Sequence, residues 1–513
     1  MRRFILFLPV IAAGSILYAQ TNLNGYWVFQ VPRGDGTFAQ SFFELTLSGD
    51  TVSGRAIRGA NSTPISEGTF SGGQLHFVLA IPGRGGATTK VTYEGHESGG
   101  KFSMTRTGQG PNPVSGEFVS STKEAALPPA PLPLPALHDV RDNGLVRTPP
   151  MGWNSWNKFA GRVTAEDVKG MADAMVSSGM AKAGYIYINI DDTWEGAARD
   201  ANGNITTNTK FPDMKALADY VHSKGLKIGI YSSPGPLTCA GYIASFGHEE
   251  QDAKQFAAWG FDYLKYDWCS AGNIYKDEDM RPVYQKMGDA LAKAGRPIVY
   301  SLCQYGRSEV WTWGAKVGGN LWRTTGDISD RWASLDGIGF GTRVPGNRTQ
   351  LDIASATQPG HVNDPDMLEI GNGGMTGDEY RLHMSLWSLY SAPLLAGNDL
   401  RTMTDEIKDI LMNAEVIAVN QDRAVKPAKK LAEAGTSVVI AKPLADGSVA
   451  VGLFNRADDN APVTLNWSDV GITSKKLKAR DLWAHKDVEV ANESLTVTVP
   501  RHGVVMLKVS AVR

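Results

Sequence analysis

The chain has 513 residues, of which 42% are apolar and 20% charged, with a formal net charge of −2. This length predicts two to four domains, and the composition is typical of a globular protein. Because the charges are balanced and form no block of one sign, we expect neither nucleic acid nor an anionic membrane surface as a partner.

The first residues have the pattern of a secretory signal. Met1-Arg2-Arg3 gives a basic start, and residues 4–18 form an apolar run that is too short for a membrane-spanning helix. Cleavage near Ala19-Gln20 fits this pattern, although Leu17 is larger than the residue preferred at its position. We therefore predict a signal peptide over residues 1–19 and a secreted or periplasmic protein that is not retained in the membrane.

Cysteine is rare in this chain. Cys239, Cys269 and Cys303 allow one pair and one unpaired thiol in an oxidising compartment. The fold must therefore rest on hydrophobic cores and not on a disulfide framework.

Residues 22–122 predict an all-β accessory domain. Their short alternating segments are separated by Gly, Asp, Asn and Ser, as in a small sandwich or barrel. The segments are 26–31, 41–47, 51–57, 74–81, 90–93 and 101–105. No group of acids or histidines indicates chemistry here. The proline-rich run from Leu127 to Pro135 then predicts an extended spacer, and we assign residues 123–147 to a linker.

Residues 148–425 alternate between buried strands and amphipathic helices, which predicts a parallel sheet. The predicted strands include 185–190, 226–231, 261–269, 297–303 and 321–325; the predicted helices include 214–223, 249–259 and 281–294. We predict a (β/α)8 TIM barrel with its active site at the C-terminal ends of the strands. An open doubly wound sheet is the alternative, but no glycine-rich phosphate loop follows the first strand. Residues 427–513 predict a C-terminal antiparallel β-sandwich with a structural role.

Two aspartates at strand ends suit the two roles of glycoside hydrolysis. Lys265 lies two residues before Asp267 and shares its face of the strand, which favours the ionised carboxylate that a nucleophile needs. Asp327 follows a second strand and suits the acid, while Arg323 can hold sugar hydroxyls with no need to neutralise Asp327 directly. The structural alternatives are an ion pair at Asp267 and a helix cap at Asp327.

Asp191 and Asp192 are adjacent acids that follow another predicted strand, with Trp194 beside them. They can accept hydrogen bonds from a sugar, or bind Ca²⁺ or Mg²⁺. No EF-hand spacing, HExxH zinc motif or GxSxG elbow occurs, so we predict no metal site and no serine nucleophile.

The motifs in this region resemble glycoside hydrolase family 27, the α-galactosidase or melibiase family. The resemblance covers residues 148–425 and is carried by Thr148 to Trp156, Asn189 to Trp194, Gly225 to Tyr231, Tyr263 to Cys269, Asn363 to Met367, Ser391 to Leu394 and Val419 to Asp422.

The resemblance implies a retaining mechanism, with Asp267 as nucleophile and Asp327 as acid/base at about 5–5.5 Å from each other. It further implies a disulfide between Cys239 and Cys269, and no metal or organic cofactor. The implied sugar contacts are Trp156, Asp191, Asp192, Tyr231, Lys265, Gln304, Arg323, Asp366 and Met367.

Two features depart from the family pattern. Gln304-Tyr305 replaces the usual Glu-Trp, at a position that the family uses to recognise the 2-substituent of the sugar. The N-terminal β domain and its linker are also absent from the minimal family architecture.

The resemblance predicts release of terminal α-linked D-galactose from oligo- or polysaccharides. Within the family, the alternatives are a β-L-arabinopyranosidase, an α-N-acetylgalactosaminidase and an isomalto-dextranase. The Asp191-Asp192 pair favours galactose, because a longer Glu there would crowd the hydroxymethyl group. A non-catalytic carbohydrate-binding protein is the alternative from another class.

Overall fold

The structure, a computed structural model, describes residues 22–82, 87–472, 476–490 and 493–512. The predicted signal peptide, residues 1–19, lies outside these ranges. None of the helices in the described ranges has the length and apolar character needed to cross a membrane. The chain divides into two compact units, residues 22–33 with 38–128, and residues 34–37 with 129–512.

The first unit is a closed antiparallel barrel of eight strands, in which β8 returns to pair with β1. Its core is aromatic: Trp27 stacks on Phe118 with ring centroids 5.2 Å apart. The all-β expectation is therefore confirmed. The strands are β1 Gly25–Pro32, β2 Phe38–Ser48, β3 Thr51–Arg58, β4 Asn61–Ser71, β5 Gln74–Pro82, β6 Thr88–Ser98, β7 Lys101–Thr107 and β8 Val114–Ser121; the short helix α1 Lys123–Ala126 follows.

The second unit contains an eight-stranded parallel sheet. Its strands are β9 Met151–Asn154, β10 Tyr187–Asn189, β11 Lys227–Ser232, β12 Tyr263–Asp267, β13 Val299–Cys303, β14 Leu321–Arg323, β15 Val362–Asp364 and β16 Leu394–Ala396. They are arranged in the order β15-β14-β13-β12-β11-β10-β9-β16. An isolated parallel bridge joins Leu368, just after β15, to Ala396 in β16.

α-Helices or 3₁₀ helices lie between most of these strands and after the last of them. The α-helices are α2 Trp156–Phe159, α3 Ala165–Ser177, α4 Met180–Ala183, α5 Met214–Ser223, α6 Glu249–Trp259, α7 Met280–Lys293, α8 Trp332–Gly339, α9 Gly377–Tyr390, α10 Asp405–Leu411 and α11 Ala414–Asn420. Short 3₁₀ helices lie at Ala160–Arg162, Ser270–Asn273, Asp277–Asp279, Arg307–Thr312, Gly314–Val317, Leu351–Ala356, Leu400–Thr402 and Trp467–Val470.

The side chains of β12 alternate between two environments, as expected for a strand with both faces covered. Leu264 and Tyr266 pack into the large apolar cluster formed with the helices. Tyr263 instead joins a smaller cluster, which also contains Tyr187 of β10, Val299 of β13, Leu321 of β14 and Val362 of β15. Because side chains two residues apart share a face, Lys265 and Asp267 lie on the Tyr263 side.

Gly260 sets the entry into this part of the chain. It ends helix α6 with a φ of 94°, a left-handed conformation that costs glycine little. The Asp262 N–H then donates to the carbonyl of Ile228 at 2.8 Å, which fixes β12 beside β11.

The C-terminal part of the second unit consists of two antiparallel sheets, one ordered β17-β18-β19-β24-β21-β22 and the other pairing β20 with β23. Both sheets contribute to one apolar cluster. The strands are β17 Lys429–Ala434, β18 Ser437–Pro443, β19 Val449–Asn455, β20 Ala461–Asn466, β21 Leu477–Asp481, β22 Lys486–Val488, β23 Ser494–Val499 and β24 Val504–Ala511.

Candidate active site

Polar side chains from the C-terminal ends of the parallel strands meet around one cavity of about 590 Å³. This is the edge at which parallel α/β folds place their ligands. The sequence-predicted residues that line it are Trp156, Asp191, Asp192, Tyr231, Cys239, Lys265, Asp267, Arg323, Asp327, Asp366 and Met367. The structure therefore brings together both candidate catalytic aspartates and most of the implied sugar contacts.

Asp267, the last residue of β12, is 5% exposed. Its carboxylate accepts a hydrogen bond from the Tyr305 hydroxyl at 2.7 Å and another from the Tyr231 hydroxyl at 3.2 Å. Burial raises the pKa of Asp267 above its ordinary value, while Lys265 and the Tyr305 hydrogen bond oppose that rise. The carboxylate is thus held in one orientation by two phenols.

Lys265 supports this charge indirectly. Its ammonium donates to Asp191 at 2.8 Å and lies 5.3 Å from the centre of the Tyr231 ring. Burial disfavours the ammonium, but Asp191, Cys303 and Asp267 together outweigh burial and hold the pKa of Lys265 well above its ordinary value. The ion pair that the sequence leaves open at Asp267 is therefore formed with Asp191.

The two adjacent acids after β10 are surrounded by hydrogen-bond donors. Asp191 accepts from the Asn154 amide at 2.9 Å, and Asp192 accepts from the Ala240 N–H at 2.7 Å. Burial and the neighbouring Asp191 raise the pKa of Asp192 to about 6. N–H groups and the Lys265 ammonium already donate to these carboxylates and offset part of their negative charge. The carboxylates are therefore better suited to accept hydrogen bonds from the hydroxyls of a ligand than to bind a cation.

Arg323 connects Asp327 with Asp366. One guanidinium nitrogen lies 3.1 Å from Asp327 and 2.9 Å from Asp366, so Arg323 does contact the candidate acid directly. Asp366, with a φ of 114°, also accepts the Ile328 N–H at 2.8 Å. Helix α8 begins at Trp332, and its N-cap residue is Arg331, so Asp327 does not cap it.

The two candidate catalytic carboxyls differ in their surroundings. The Asp327 side chain is 71% exposed, and Arg323 and Lys265 together overcome its partial burial and hold its pKa below the ordinary value. Burial raises the pKa of Asp366 to about 6, although Arg323 opposes the rise. The two candidate catalytic residues therefore line one cavity with opposite pKa shifts: the pKa of the exposed Asp327 is lowered, and that of the enclosed Asp267 is raised.

A disulfide joins Cys239 to Cys269, with the two sulfurs 2.00 Å apart. It links the segment after β11 to the residues directly after Asp267, as the family resemblance implies. Cys303 is the free cysteine and is buried.

Gln304 does not line the cavity. It is fully buried, and its amide donates to the Arg323 carbonyl at 3.3 Å. Its neighbour Tyr305 lines the cavity instead, in a left-handed conformation with a φ of 61°. The Glu-to-Gln change therefore lies outside the cavity lining, and the residue that reaches Asp267 is Tyr305, which replaces the family Trp.

Several lining residues had no assigned role in the sequence. Glu369 is 3% exposed, accepts from the Asn372 amide at 2.6 Å and contacts Asn157. Burial raises its pKa to about 7. Asp330 lines the cavity three residues after Asp327. The sequence signal that could have identified Glu369 is its position two residues after Met367, at the end of the Asn363 to Met367 motif.

The sequence models of two known families match this chain. The sequence model of a family described as "Alpha galactosidase A" matches residues 148–422, and one described as "Alpha galactosidase C-terminal beta sandwich domain" matches residues 434–509. The chain belongs to the melibiase family, glycoside hydrolase family 27. It is a glycosidase.

Individual melibiase-family relatives are similar over most of their lengths. An alpha-galactosidase of Cyamopsis tetragonoloba is 48% identical over 367 residues, which are 71% of this chain and 86% of the relative. The crystal structure of alpha-galactosidase I from Mortierella vinacea matches 72% of this chain and 99% of its own, with a TM-score of 0.68 and 39% identity. A Bacteroides fragilis structure covers 96% of this chain and 99% of its own, with a TM-score of 0.68 and 30% identity.

Proposed function

We propose that this glycosidase releases terminal α-linked D-galactose from oligo- or polysaccharides by a retaining, double-displacement mechanism. Asp267 is the nucleophile and Asp327 the acid/base in this proposal. The observation that carries it is the pair of carboxylates in one cavity: Asp267 enclosed beneath two tyrosines, and Asp327 open to solvent. Family membership and the α-galactosidase relatives support the galactose substrate.

In the first step, an Asp267 oxygen attacks the anomeric carbon while Asp327 gives its proton to the leaving oxygen. In the second, Asp327 takes a proton from water, and that water displaces Asp267 from the sugar. Lys265 and Arg323 balance part of the carboxylate charge around the reacting carbon. The acids that remain can stabilise the oxocarbenium-like transition state.

Substrate binding must reverse the order of the two pKa values for this sequence of steps. The protein surroundings raise the pKa of Asp267 and lower that of Asp327, the opposite of the order that attack and protonation require. A bound sugar removes water from the exposed Asp327 and so raises its pKa, while the electron-poor anomeric carbon favours ionised Asp267.

We further propose the barrel closure, the domain boundaries and the export that the sequence predicts. The eight parallel strands form a closed (β/α)8 barrel, and the Leu368–Ala396 bridge between the two ends of the sheet supports closure. The domain boundaries are 22–122, 123–147, 148–425 and 427–513, and the two family matches support the last two. The signal over residues 1–19, and hence a secreted or periplasmic location, stays a prediction.

Turnover of three aryl glycosides tests the galactose assignment. We expect the α-galactoside to be preferred over the β-L-arabinopyranoside and the α-N-acetylgalactosaminide, measured as kcat/KM side by side. Asp192→Glu should reduce turnover of the galactoside more than that of the pentoside. The longer side chain would reach from its buried position into the cavity and crowd the hydroxymethyl group, which the pentoside lacks. Preference of the wild-type enzyme for either alternative substrate would overturn the assignment.

The Tyr305 hydroxyl should set the ionisation of Asp267. In an Asp327→Ala background, an activated aryl α-galactoside needs no protonation, so Asp327 no longer contributes to the acid limb of the kcat/KM profile, which then reports Asp267 together with the other acids of the cavity. The Tyr305 hydrogen bond lowers the pKa of Asp267. Tyr305→Phe should therefore move this limb to higher pH and reduce kcat/KM about 10- to 100-fold, the equivalent of one hydrogen bond to a charged group.

Tyr220→Phe is the matched control for this experiment. It removes another tyrosine-to-aspartate hydrogen bond, to Asp173 at 2.8 Å, from an exposed site that does not line the cavity. An acid limb that stays in place in the Tyr305→Phe variant would contradict the role given to this phenol.

A further inference from the structure

His502 occupies an unusual position in the C-terminal part of the second unit. It lies in the turn between β23 and β24, with a φ of 48°, and its side chain is only 2% exposed. Its ring stacks on Trp332 with centroids 3.8 Å apart and planes within 12°. Its Nδ1 lies 2.7 Å from the Glu379 carboxylate, and its Nε2 lies 3.2 Å from Asp458. His502 does not line the catalytic cavity.

The stacked partner of His502 is directly connected to the proposed acid/base. Trp332 is the first residue of α8, and residues 327–331 immediately before it carry Asp327. The Ser329 N–H donates to the Ser334 hydroxyl in the first turn of α8 at 3.0 Å. A shift of the start of α8 would therefore be transmitted to residues 327–331, which we call the acid segment.

The hydrogen-bonded partner of His502 leads to the same place by a second route. Glu379 closes the capping box of α9 and accepts the Thr376 N–H at 2.7 Å. The next residue, Tyr380, donates its hydroxyl to Asp330 of the acid segment at 3.1 Å. Tyr380 also accepts the Gly373 N–H at 2.8 Å, so its phenol is fixed between two segments that border the cavity.

We propose that His502 is a positioning residue through which the C-terminal sheets hold the acid segment, and with it Asp327, in the geometry for proton donation. The proposal rests on the proposed function, because it assigns Asp327 the role of acid. One imidazole contacts both helices that meet the C-terminal end of the segment, α8 by stacking and α9 by a hydrogen bond. Loss of either contact loosens this end of the acid segment and leaves the residues that line the cavity unchanged.

Leaving-group dependence separates this role from a general loss of stability. A displaced acid slows cleavage only where the leaving oxygen needs a proton. In the His502 variants, kcat/KM should therefore fall about tenfold for α-galactosides with sugar or alkyl leaving groups, part of the 10²–10⁴-fold that general acid catalysis supplies. For a dinitrophenyl α-galactoside, kcat/KM should stay within about twofold of the wild type. The ratio kcat/KM reports the steps up to formation of the glycosyl-enzyme, and these include the proton transfer from Asp327 to the leaving oxygen.

Three variants divide the two contacts. His502→Phe keeps the stack on Trp332 and loses the hydrogen bond, His502→Gln keeps a donor for Glu379 and loses the stack, and His502→Ala loses both. We expect the alanine variant to show the steepest dependence on leaving-group basicity and the other two to fall between it and the wild type. His485→Ala is the matched control, since it removes a half-exposed histidine paired with Glu415 at 2.7 Å in the same C-terminal part.

The outcomes separate the possible explanations. An equal loss for all leaving groups in the His502 variants, or the same steepening in His485→Ala, would overturn the positioning role. If His502→Ala does not fold, the comparison of the Phe and Gln variants decides by the same criterion. A wild type that hydrolyses no α-galactoside, or an Asp327→Ala variant without leaving-group dependence, would instead contradict the proposed function itself.

Discussion

The site depends on one enclosed carboxylate at the end of β12. Asp267 is removed from water by the strands on either side and receives hydroxyl hydrogen bonds from Tyr231 and Tyr305. Desolvation of this kind disfavours charge unless the surroundings compensate. The positions of Lys265, Arg323 and both phenols can be understood as that compensation.

The balance of charge around the cavity is negative. Among the described residues, three cations line it, Lys158, Lys265 and Arg323, so they leave several of the lining acids unneutralised; these acids are Asp191, Asp192, Asp267, Asp327, Asp330, Asp366 and Glu369. Burial, reinforced by neighbouring acids, raises the pKa of Asp192 and of Asp366 to about 6. It also suits a reaction whose transition state carries positive charge on the sugar, because the enclosed carboxylates are already oriented toward the cavity.

Much of this arrangement follows from local sequence signals. Helix α6 has the bounds that its periodicity and Gly260 predict, and the acids after β10, β12 and β14 lie at one edge because parallel strands end together. The shared face of Lys265 and Asp267 was also predictable from the alternation along an extended strand.

Other features depend on contacts between distant segments and could not be predicted. Lys265 of β12 pairs with Asp191, which follows β10, and not with Asp267. This pairing depends on the strand order β12-β11-β10, which the local sequence does not contain. The left-handed turn at Tyr305, which directs that residue and not Gln304 into the cavity, leaves no periodic signal. The contact of His502 with Trp332 joins residues 170 positions apart in the chain, and only the folded structure shows it.

Azide rescue of the two aspartate variants tests the central claim most directly. In Asp267→Ala, azide can replace the missing nucleophile and attack from its face, so an α-galactoside should give the β-galactosyl azide. In Asp327→Ala, an activated substrate still forms the glycosyl-enzyme, and azide should open it to the α-galactosyl azide. Product anomers assigned by NMR in this pattern would support Asp267 as nucleophile and Asp327 as acid/base. The opposite pattern, or the same anomer from both variants, would contradict the account.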